Sequence, residues 1–203
     1  MNRAINIVLS LFLIIIAFVP FVFVLILVVF FIDTNPIFTQ SRIGKNEEMF
    51  NLYKLRTMKN SHSESGKLLP DQDRLTKLGT FLRSTSIDEL PSLINILKGD
   101  MNFIGPRPLL PEYLPFFSTK EKKRHLIAPG ITGLAQVKGR NMLTWEQKFT
   151  YDIFYVENKS LKLDLQIILM TLKVVFLRTG ISPKEGIIMP RLDTLRKRNK
   201  THE

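Results

Sequence analysis

The residue types most able to do chemistry lie between positions 86 and 108. Asp88 and Glu89 are adjacent and shortly precede Pro91, and Arg107 follows between two prolines. Carboxylates near a guanidinium in a rigid backbone suit chemistry on a phosphorylated substrate, because the cation binds phosphate oxygens while an acid binds a metal or attacks phosphorus. This stretch therefore indicates a site that handles phosphate.

The two acids also have a purely structural interpretation. Ser86 and Glu89 have the spacing of a capping box, in which the glutamate closes the start of a helix. Pro91 lacks the N–H that a helix beginning at Ile87 would need, so the regular helix is expected to begin between Glu89 and Pro91. Either start places both acids at the positive end of the helix dipole, which favours their ionised forms. Spacing alone leaves catalysis and capping open.

The nearby cations have two interpretations as well. The prolines beside Arg107 restrict its backbone torsions, which lowers the entropy lost when the guanidinium binds an oxyanion. An ordinary surface arginine in a loop is the equal alternative. Lys54, Arg56 and Arg83 would complete a cationic cluster, or they form a solvated basic face.

Composition limits the functional classes. The 203 residues carry a formal net charge of +11 and no cysteine, which excludes disulfides and thiolate metal sites and fits a reducing compartment. Such a basic surface attracts nucleic acid, anionic lipid or phosphorylated substrates. The three histidines lack metal-ligand spacing, and the sequence contains no phosphate-binding glycine loop, nucleophile elbow or basic–aromatic pattern typical of nucleic-acid binding.

The N-terminus predicts a membrane anchor. Residues 4–32 carry no charge, and from Leu11 to Ile32 only Pro20 interrupts the apolar run. This run exceeds the ~20 residues that a helix needs to cross hydrocarbon. A cleavable signal peptide has a shorter apolar region, ~7–15 residues, and a small-residue cleavage site. Nearly all lysines and arginines follow the anchor, which predicts a cytoplasmic location for the domain after it.

Pro20 lies near the middle of this anchor. Its missing N–H and its ring predict a kink in the helix. A kinked helix either spans the membrane or turns back as a hairpin to the cytoplasmic face. Physical reasoning leaves the two topologies open.

Periodicity predicts a helix-rich α/β fold with little strand. Extended or irregular structure is expected over 37–58 and a polar loop over 59–73. Helices are expected over 75–82, 91–97 (ended by Gly99), 145–156 and 161–178. The last helix is apolar with interspersed charges, which favours a core position, with the membrane interface as the alternative. The predicted divisions are an anchor over 1–33, a domain over 34–190 and a basic tail over 191–203 that is solvated or touches headgroups.

Four segments resemble the small monotopic phosphoglycosyl transferases, a family of bacterial sugar transferases. The segments are FNLYKLRTM (50–58), LRSTSIDELPSLINILKGDMNFIGPRPLLPEY (82–113), PGITGLAQVKGR (129–140) and LDLQII (163–168). They occur in the family's order and at its spacing. The resemblance therefore covers nearly the whole chain after the first few residues.

The resemblance implies a fold and a reaction. The fold is a membrane-inserted N-terminal helix on a small cytoplasmic α/β domain, whose amphipathic surface helices lie at the bacterial inner membrane. The reaction transfers a sugar 1-phosphate from a UDP-sugar to undecaprenyl phosphate and releases UMP, with Mg²⁺ as cofactor. This reaction is the first membrane step in the assembly of glycans such as exopolysaccharide, capsule, O-antigen of lipopolysaccharide, or glycoprotein.

The family's site residues map onto matching positions of this chain. Asp88 corresponds to the nucleophile that forms a covalent aspartyl sugar-phosphate, and Glu89 to the glutamate that shapes the metal and phosphate site. Both are expected near Mg²⁺. The family's substrate-binding cations correspond to Arg107, Arg56 and Arg83, and its late aspartate to Asp164, which is expected to have a supporting role. Lys54 is expected to join the phosphate-binding cations.

The chain departs from the family's pattern in the anchor. The family breaks its membrane helix at a Ser-Pro pair and turns back to the cytoplasmic side, whereas this chain has Val19-Pro20. A serine hydroxyl can bond to a carbonyl freed at the kink. Its absence weakens the hairpin prediction but not the kink. The hairpin, kinked at Pro20, is still expected on the resemblance.

Two other classes of function compete with the transferase. A non-catalytic, membrane-anchored basic adaptor would bind anionic lipid or acidic partners, and it would not need Asp88. A membrane-tethered nucleic-acid binder would show steeply salt-dependent binding, and no nucleic-acid partner is expected. The sequence leaves open which sugar is transferred, which glycan pathway is served, and whether the chain forms a homo-oligomer.

Overall fold

The computed structural model of the chain describes residues 1–139, 142–177 and 190–200. The fold is helix-rich with few strands, as the sequence predicts. Its helices are α1 (Arg3–Phe31), α2 (Asp71–Arg74), α3 (Lys77–Thr85), α4 (Ser92–Lys98), α5 (Thr119–Lys122), α6 (Leu134–Lys138), α7 (Trp145–Glu157), α8 (Leu161–Phe176) and α9 (Leu192–Lys200). Its strands are β1 (Ile37–Ile43), β2 (Met49–Leu55), β3 (Asn102–Ile104) and β4 (Gly130–Thr132).

The four predicted helices correspond to α3, α4, α7 and α8, and their ends agree to within a few residues. Gly99 ends α4 as predicted, in a left-handed conformation with φ of 100° that glycine adopts without Cβ strain. Arg178, the predicted end of the last helix, lies outside the described residues, as does Arg140. The turn-rich connection expected between positions 125 and 140 also contains β4 and α6.

Two small sheets carry the segments around the acids. β1 and β2 form an antiparallel hairpin in which Ile37 pairs with Leu55 and Ile43 with Met49. Gly44 makes the tight turn possible, because its N–H donates to the Glu48 carbonyl at 2.7 Å and a Cβ there would lie 2.8 Å from that oxygen. β3 and β4 pair in parallel. The extended structure expected over 37–58 is thus largely a hairpin.

Helix α1 is the predicted anchor. It is the one helix, among those of the described residues, that is long and apolar enough to cross a membrane. Its helical conformation continues through Pro20, and of its residues Asn6, Ser10 and Val28 are buried. Most of its apolar side chains are therefore not buried by the described part of the chain. The kink and the hairpin stay predictions.

Both ends of α1 contact the domain that follows it. Near the N-terminus, Asn6 donates to Asn102 Oδ1 at 3.0 Å and accepts from the Phe103 N–H at 3.1 Å, and Arg3 donates to the last carbonyls of α4. At the other end, Val28 and Ile32 are buried in a cluster with residues of β2 and α3. The helix is therefore attached at two places about one helix length apart.

The C-terminal tail differs from its expected form. Instead of a solvated segment, the structure has helix α9, whose Leu192 is fully buried with Trp145 and Phe149 of α7. Arg196 of the same helix forms an ion pair with Glu121 at 2.5 Å. The basic composition concealed this packing, because two leucines, Leu192 and Leu195, in a short charged segment give little periodic signal.

Helix α8 has two different faces. Ile167 and Asp164 are buried against the domain, which agrees with the expected core position. Leucines at positions 161, 165, 169 and 172 are exposed and recur at helical spacing. The helix therefore contributes to the core with one side and presents an apolar stripe with the other.

Candidate active site

The two acids lie in a sharp turn between α3 and α4. Ser86 ends α3 in a left-handed conformation, with φ of 59°, and a 3-10 turn covers Ile87–Glu89. Ser86 makes no side-chain cap bond, so the capping box does not form. The regular helix begins at Ser92, directly after Pro91. The turn presents both carboxylates to β2 and leaves them available for chemistry.

Asp88 is a buried carboxylate, 8 % exposed, in a mixed electrostatic environment. Its Oδ2 lies 3.9 Å from Lys54 Nζ. Burial raises the pKa of Asp88 and the adjacent Glu89 charge raises it further, while Lys54 and then Arg83 and Arg107 oppose the shift. The ionised form is more basic than that of an exposed aspartate, which is a favourable property in a nucleophile.

Glu89 lies between two cations. Its Oε1 is 2.5 Å from Lys54 Nζ and 3.5 Å from an Arg107 guanidinium nitrogen. Burial alone would raise the pKa of Glu89, but the charges of Lys54 and Arg107 hold it below its usual value. Glu89 therefore stays anionic, and the environments of the two neighbouring acids shift their pKa values in opposite directions.

A buried ion pair between Arg124 and Asp152 supports the backbone of the loop that carries Arg107. Arg124 donates to the Arg107 carbonyl oxygen at 2.8 Å and to Asp152 Oδ2, on α7, also at 2.8 Å. Arg124 and Asp152 are both buried, whereas the Arg107 side chain is 51 % exposed. The loop backbone is thus fixed while its guanidinium stays accessible to a substrate.

Helix α4 is fastened to the strand that carries Lys54. Ser92 Oγ donates to the Tyr53 carbonyl at 2.8 Å. Asn95 accepts from the Tyr53 N–H at 3.1 Å and donates to the Asn51 carbonyl at 2.8 Å. These bonds satisfy backbone groups on one edge of β2 and fix Lys54 relative to the acids. Sequence reasoning missed both residues, because a serine and an asparagine in a short helix give no long-range signal.

The other predicted site residues have varied positions. Arg83 donates to Thr57 Oγ1 at 2.9 Å, and its charge acts to lower the pKa of Asp88. Arg56 instead donates to the Asn35 carbonyl at 2.8 Å, close to where α1 ends. Asp164 accepts from Tyr155 and from the Met1 ammonium group. The structure thus groups Lys54, Asp88, Glu89, Arg107 and, next to them, Arg83, while the described contacts of Arg56 and Asp164 lie elsewhere.

A cleft opens beside Glu89. Its lining residues are Arg42, Leu52, Lys54, Glu89, Ser92, Met101, Arg107, Pro108, Gly130 and Ile131. Arg42, from β1, was not singled out by the sequence analysis. An arginine in an amphipathic strand looks like any solvated cation until the hairpin is placed against the Arg107 loop.

The donor set at the acids fits Mg²⁺. Within the described ranges, no group of three or more histidines, cysteines and acids is arranged to hold a metal ion. Mg²⁺ does not need such a group, because it is commonly bound through one or two carboxylates together with substrate phosphates and water. Asp88 and Glu89 are the residues that would hold it.

Comparisons with known proteins bear on the family of the chain. Residues 1–178 match the family model described as bacterial sugar transferase. The uncharacterized sugar transferase EpsL of Bacillus subtilis is 47 % identical over 160 residues, 79 % of each chain. The undecaprenyl-phosphate galactose phosphotransferase of Salmonella typhimurium is 36 % identical over 166 residues, 73 % of this chain and 35 % of the relative.

A third relative is named for a different sugar, N-acetylgalactosamine. The UDP-N-acetylgalactosamine-undecaprenyl-phosphate N-acetylgalactosaminephosphotransferase of Aeromonas hydrophila is 36 % identical over 151 residues, 70 % of this chain and 36 % of its own. The matches thus span most of the Bacillus relative but only about a third of the length of the Salmonella and Aeromonas proteins. The chain belongs to the bacterial sugar transferase family.

Proposed function

We propose that this protein transfers a sugar 1-phosphate from a UDP-sugar to undecaprenyl phosphate, which yields a polyprenyl-diphosphate-linked sugar and UMP. This would be the first membrane step of glycan assembly. The observation that carries the proposal is the buried Asp88 carboxylate, which lies beside the anionic Glu89 within reach of Lys54. The names of the Salmonella and Aeromonas relatives support the lipid acceptor and the sugar-phosphate chemistry.

The proposed reaction has two displacements at one phosphorus atom. In the first, an Asp88 oxygen attacks the β-phosphorus of the UDP-sugar, the bond from that phosphorus to the bridging oxygen breaks, and UMP leaves. In the second, a phosphate oxygen of undecaprenyl phosphate attacks the same phosphorus, and the acyl–phosphate bond breaks to regenerate the Asp88 carboxylate. Water-soluble and lipid-soluble substrates thus use one small site in turn.

The charges around Asp88 make this attack feasible. An anionic carboxylate and a diphosphate repel each other unless cations neutralise the phosphate oxygens. Lys54 and Arg107 supply positive charge, and Glu89 orients both of them through its Oε1. Bound at Asp88 and Glu89, Mg²⁺ would supply further charge neutralisation for the phosphate oxygens and the UMP leaving group.

The direct test is an assay of UMP release with undecaprenyl phosphate and a panel of UDP-sugars. UDP-galactose and UDP-N-acetylgalactosamine are the first donors to try, because sugars of these two kinds occur in the names of the relatives. We expect release with at least one donor and formation of the lipid-linked product. Membrane-bound protein that releases UMP from no donor would favour the adaptor function instead.

We propose further that α1 is a re-entrant anchor, kinked at Pro20, which does not cross the membrane as a straight helix, and that the domain lies on the cytoplasmic face. A straight crossing would place its ends on opposite sides of ~30 Å of hydrocarbon. Both ends instead contact one domain, through Asn6 and Arg3 at the start and Val28 at the end. The exposed leucine stripe of α8 supports a second contact with the membrane interface.

Single-cysteine labelling would test this topology. The chain has no cysteine, so Asn2→Cys provides a unique reactive thiol at the start of α1. We expect it to react only with reagents that have access to the cytoplasmic side, as Lys59→Cys in the exposed loop after β2 does. Labelling of Asn2→Cys from the periplasmic side, with Lys59→Cys protected there, would establish a spanning helix.

Arg107→Lys would test the role of the guanidinium. The lysine keeps the charge but loses the planar fork that binds phosphate through two bonds. We expect a higher KM for the UDP-sugar or a lower turnover, with a loss of ~1–3 kcal/mol in transition-state binding. A matched control is Arg191→Lys, because Arg191 is 54 % exposed and pairs with Glu112 outside the cleft. Equal kinetics in the two variants would make Arg107 an ordinary surface residue.

A further inference from the structure

Arg42 is a half-buried cation that forms no ion pair with a carboxylate in the described part of the chain. Its guanidinium donates to two neutral oxygens, the Pro108 carbonyl at 3.3 Å and Gln40 Oε1 at 2.6 Å. Its Nε is buried without a hydrogen-bond partner. Buried charges are normally paired, because removing an unpaired ion from water is costly.

Arg42 and Arg107 also lie close enough to repel each other. Burial is the main cause that lowers the pKa of Arg42 to about 10, and the Arg107 charge lowers it further, while Tyr113, Glu112 and Glu89 oppose the shift. Arg42 and Arg107 both line the cleft, and Glu89 is the carboxylate that pairs with Arg107 and Lys54. The cleft therefore keeps positive charge, which an incoming oxyanion would neutralise.

We propose that Arg42 is a second phosphate-binding arginine, which together with Arg107 binds an oxyanion of the substrate in this cleft. The inference rests on the proposed function and deepens it, because it assigns a binding role to a residue of β1. The ligand chemistry is a phosphate oxyanion, and its source is the diphosphate of the UDP-sugar or the phosphate of undecaprenyl phosphate. The Pro108 carbonyl fixes the guanidinium next to the loop that carries Arg107.

The test compares Arg42→Gln and Arg42→Lys with the matched control Lys45→Gln. Lys45 is exposed, lies three positions away, and is not among the residues that line the cleft. Its variant therefore removes the same charge without touching the site. UDP binding to the purified full chain is measured by calorimetry, and thermal unfolding checks that each variant is folded. We expect Arg42→Gln to bind UDP about 10- to 100-fold more weakly, the range of a hydrogen bond to a charged group, and Arg42→Lys to be intermediate.

Two kinetic arms distinguish the sources of the oxyanion. The first follows UMP release from a UDP-sugar without acceptor, and the second follows discharge of the preformed adduct by undecaprenyl phosphate. A higher KM for the UDP-sugar would show that Arg42 binds the diphosphate of the donor. Slower discharge of the adduct, with unchanged UMP release and UDP affinity, would show that Arg42 binds the phosphate of the acceptor. Either result supports the proposal. Folded Arg42→Gln that matches Lys45→Gln in UDP affinity and in both arms would overturn it.

The same measurements on the wild-type chain separate this inference from the proposed function. Wild-type protein that binds UDP and releases UMP, combined with an unaffected Arg42→Gln, defeats the inference alone. Wild-type protein that neither binds UDP nor releases UMP defeats the proposed function first, and the role of Arg42 with it.

Discussion

Asp88→Asn should give a folded, membrane-bound protein whose turnover is lower by at least about a thousandfold, the scale seen when a nucleophile is removed. The amide keeps the shape of the side chain but lacks the anionic oxygen that attacks phosphorus. Measurement of UMP release with and without undecaprenyl phosphate, on protein of verified fold, gives the result. Asp88→Asn enzyme that keeps most of its activity would exclude Asp88 as the nucleophile.

The same variant has an expected effect on stability that separates catalysis from folding. Burial raises the pKa of Asp88 above its ordinary value of 3.8. The native state therefore binds the proton more tightly than the unfolded chain, and stability falls as the pH rises through the raised pKa. At neutral pH the ionised Asp88 carries the full desolvation cost. Asp88→Asn should thus unfold at the same or a higher temperature than wild type.

Two further variants serve as controls for Asp88. Asp71→Asn removes an exposed carboxylate, and we expect wild-type activity from it. Glu89→Gln should be impaired, because Lys54 and Arg107 lose the anion that orients them. If the role of Glu89 is only supportive, Glu89→Gln will still form the covalent adduct, more slowly.

Asp152→Asn should destabilise the protein by ~3–5 kcal/mol, because it leaves Arg124 as a buried charge without a counter-ion. Such a loss lowers the thermal midpoint by on the order of 10 °C for a domain of this size. The control is Glu157→Gln on the same helix, which breaks the exposed pair between Glu157 and Lys123. An exposed pair contributes ~0–1 kcal/mol. A midpoint for Asp152→Asn that equals that of Glu157→Gln would contradict the prediction.

The double variant Arg124→Met with Asp152→Leu tests whether this pair also positions Arg107. Replacement of both ions by apolar side chains removes the unpaired charge, so much of the stability should return. The Arg107 carbonyl still loses its 2.8 Å donor, so the loop loses its support. We expect the donor KM to stay raised in the double variant. A KM that recovers together with stability would give the pair a structural role alone.

The helices around the site were predictable from local sequence. Pro91 and Gly99 bracket a short apolar segment, and the structure has α4 between them. Proline and glycine fix the start and end of a helix through their own backbone preferences, so no knowledge of the rest of the fold is needed. The anchor was equally evident, because its length and lack of charge are local properties.

The constellation of the site was only partly predictable. The resemblance placed Asp88, Glu89 and Arg107 in one site, and the structure brings them together with Lys54. No local pattern indicates that Arg124 pairs with Asp152, 28 positions later, and thereby supports Arg107. Such pairs depend on how distant elements pack, and each partner alone resembles a surface charge. For the same reason, the sequence analysis did not single out Arg42 as a site residue.

Other expectations depended on packing that composition does not encode. The tail at 191–203 was expected to be solvated or to touch headgroups because it is basic, but Leu192 is buried in a core cluster that includes Trp145 and Phe149. The functional roles of Arg56 and Asp164, which the resemblance implies, remain predictions. Their described contacts, with the end of α1 and with Tyr155, suit support of the anchor and of α8.

Intact-mass measurement of the protein after incubation with UDP-sugar and Mg²⁺, without undecaprenyl phosphate, tests the central claim most directly. The two-displacement reaction predicts UMP release before any acceptor is added, and a mass increase equal to one sugar phosphate that is absent in Asp88→Asn. Addition of undecaprenyl phosphate should then remove the added mass. Strict dependence of UMP release on the lipid acceptor, with no adduct on the wild-type chain, would contradict the covalent route and indicate direct transfer between the two bound substrates.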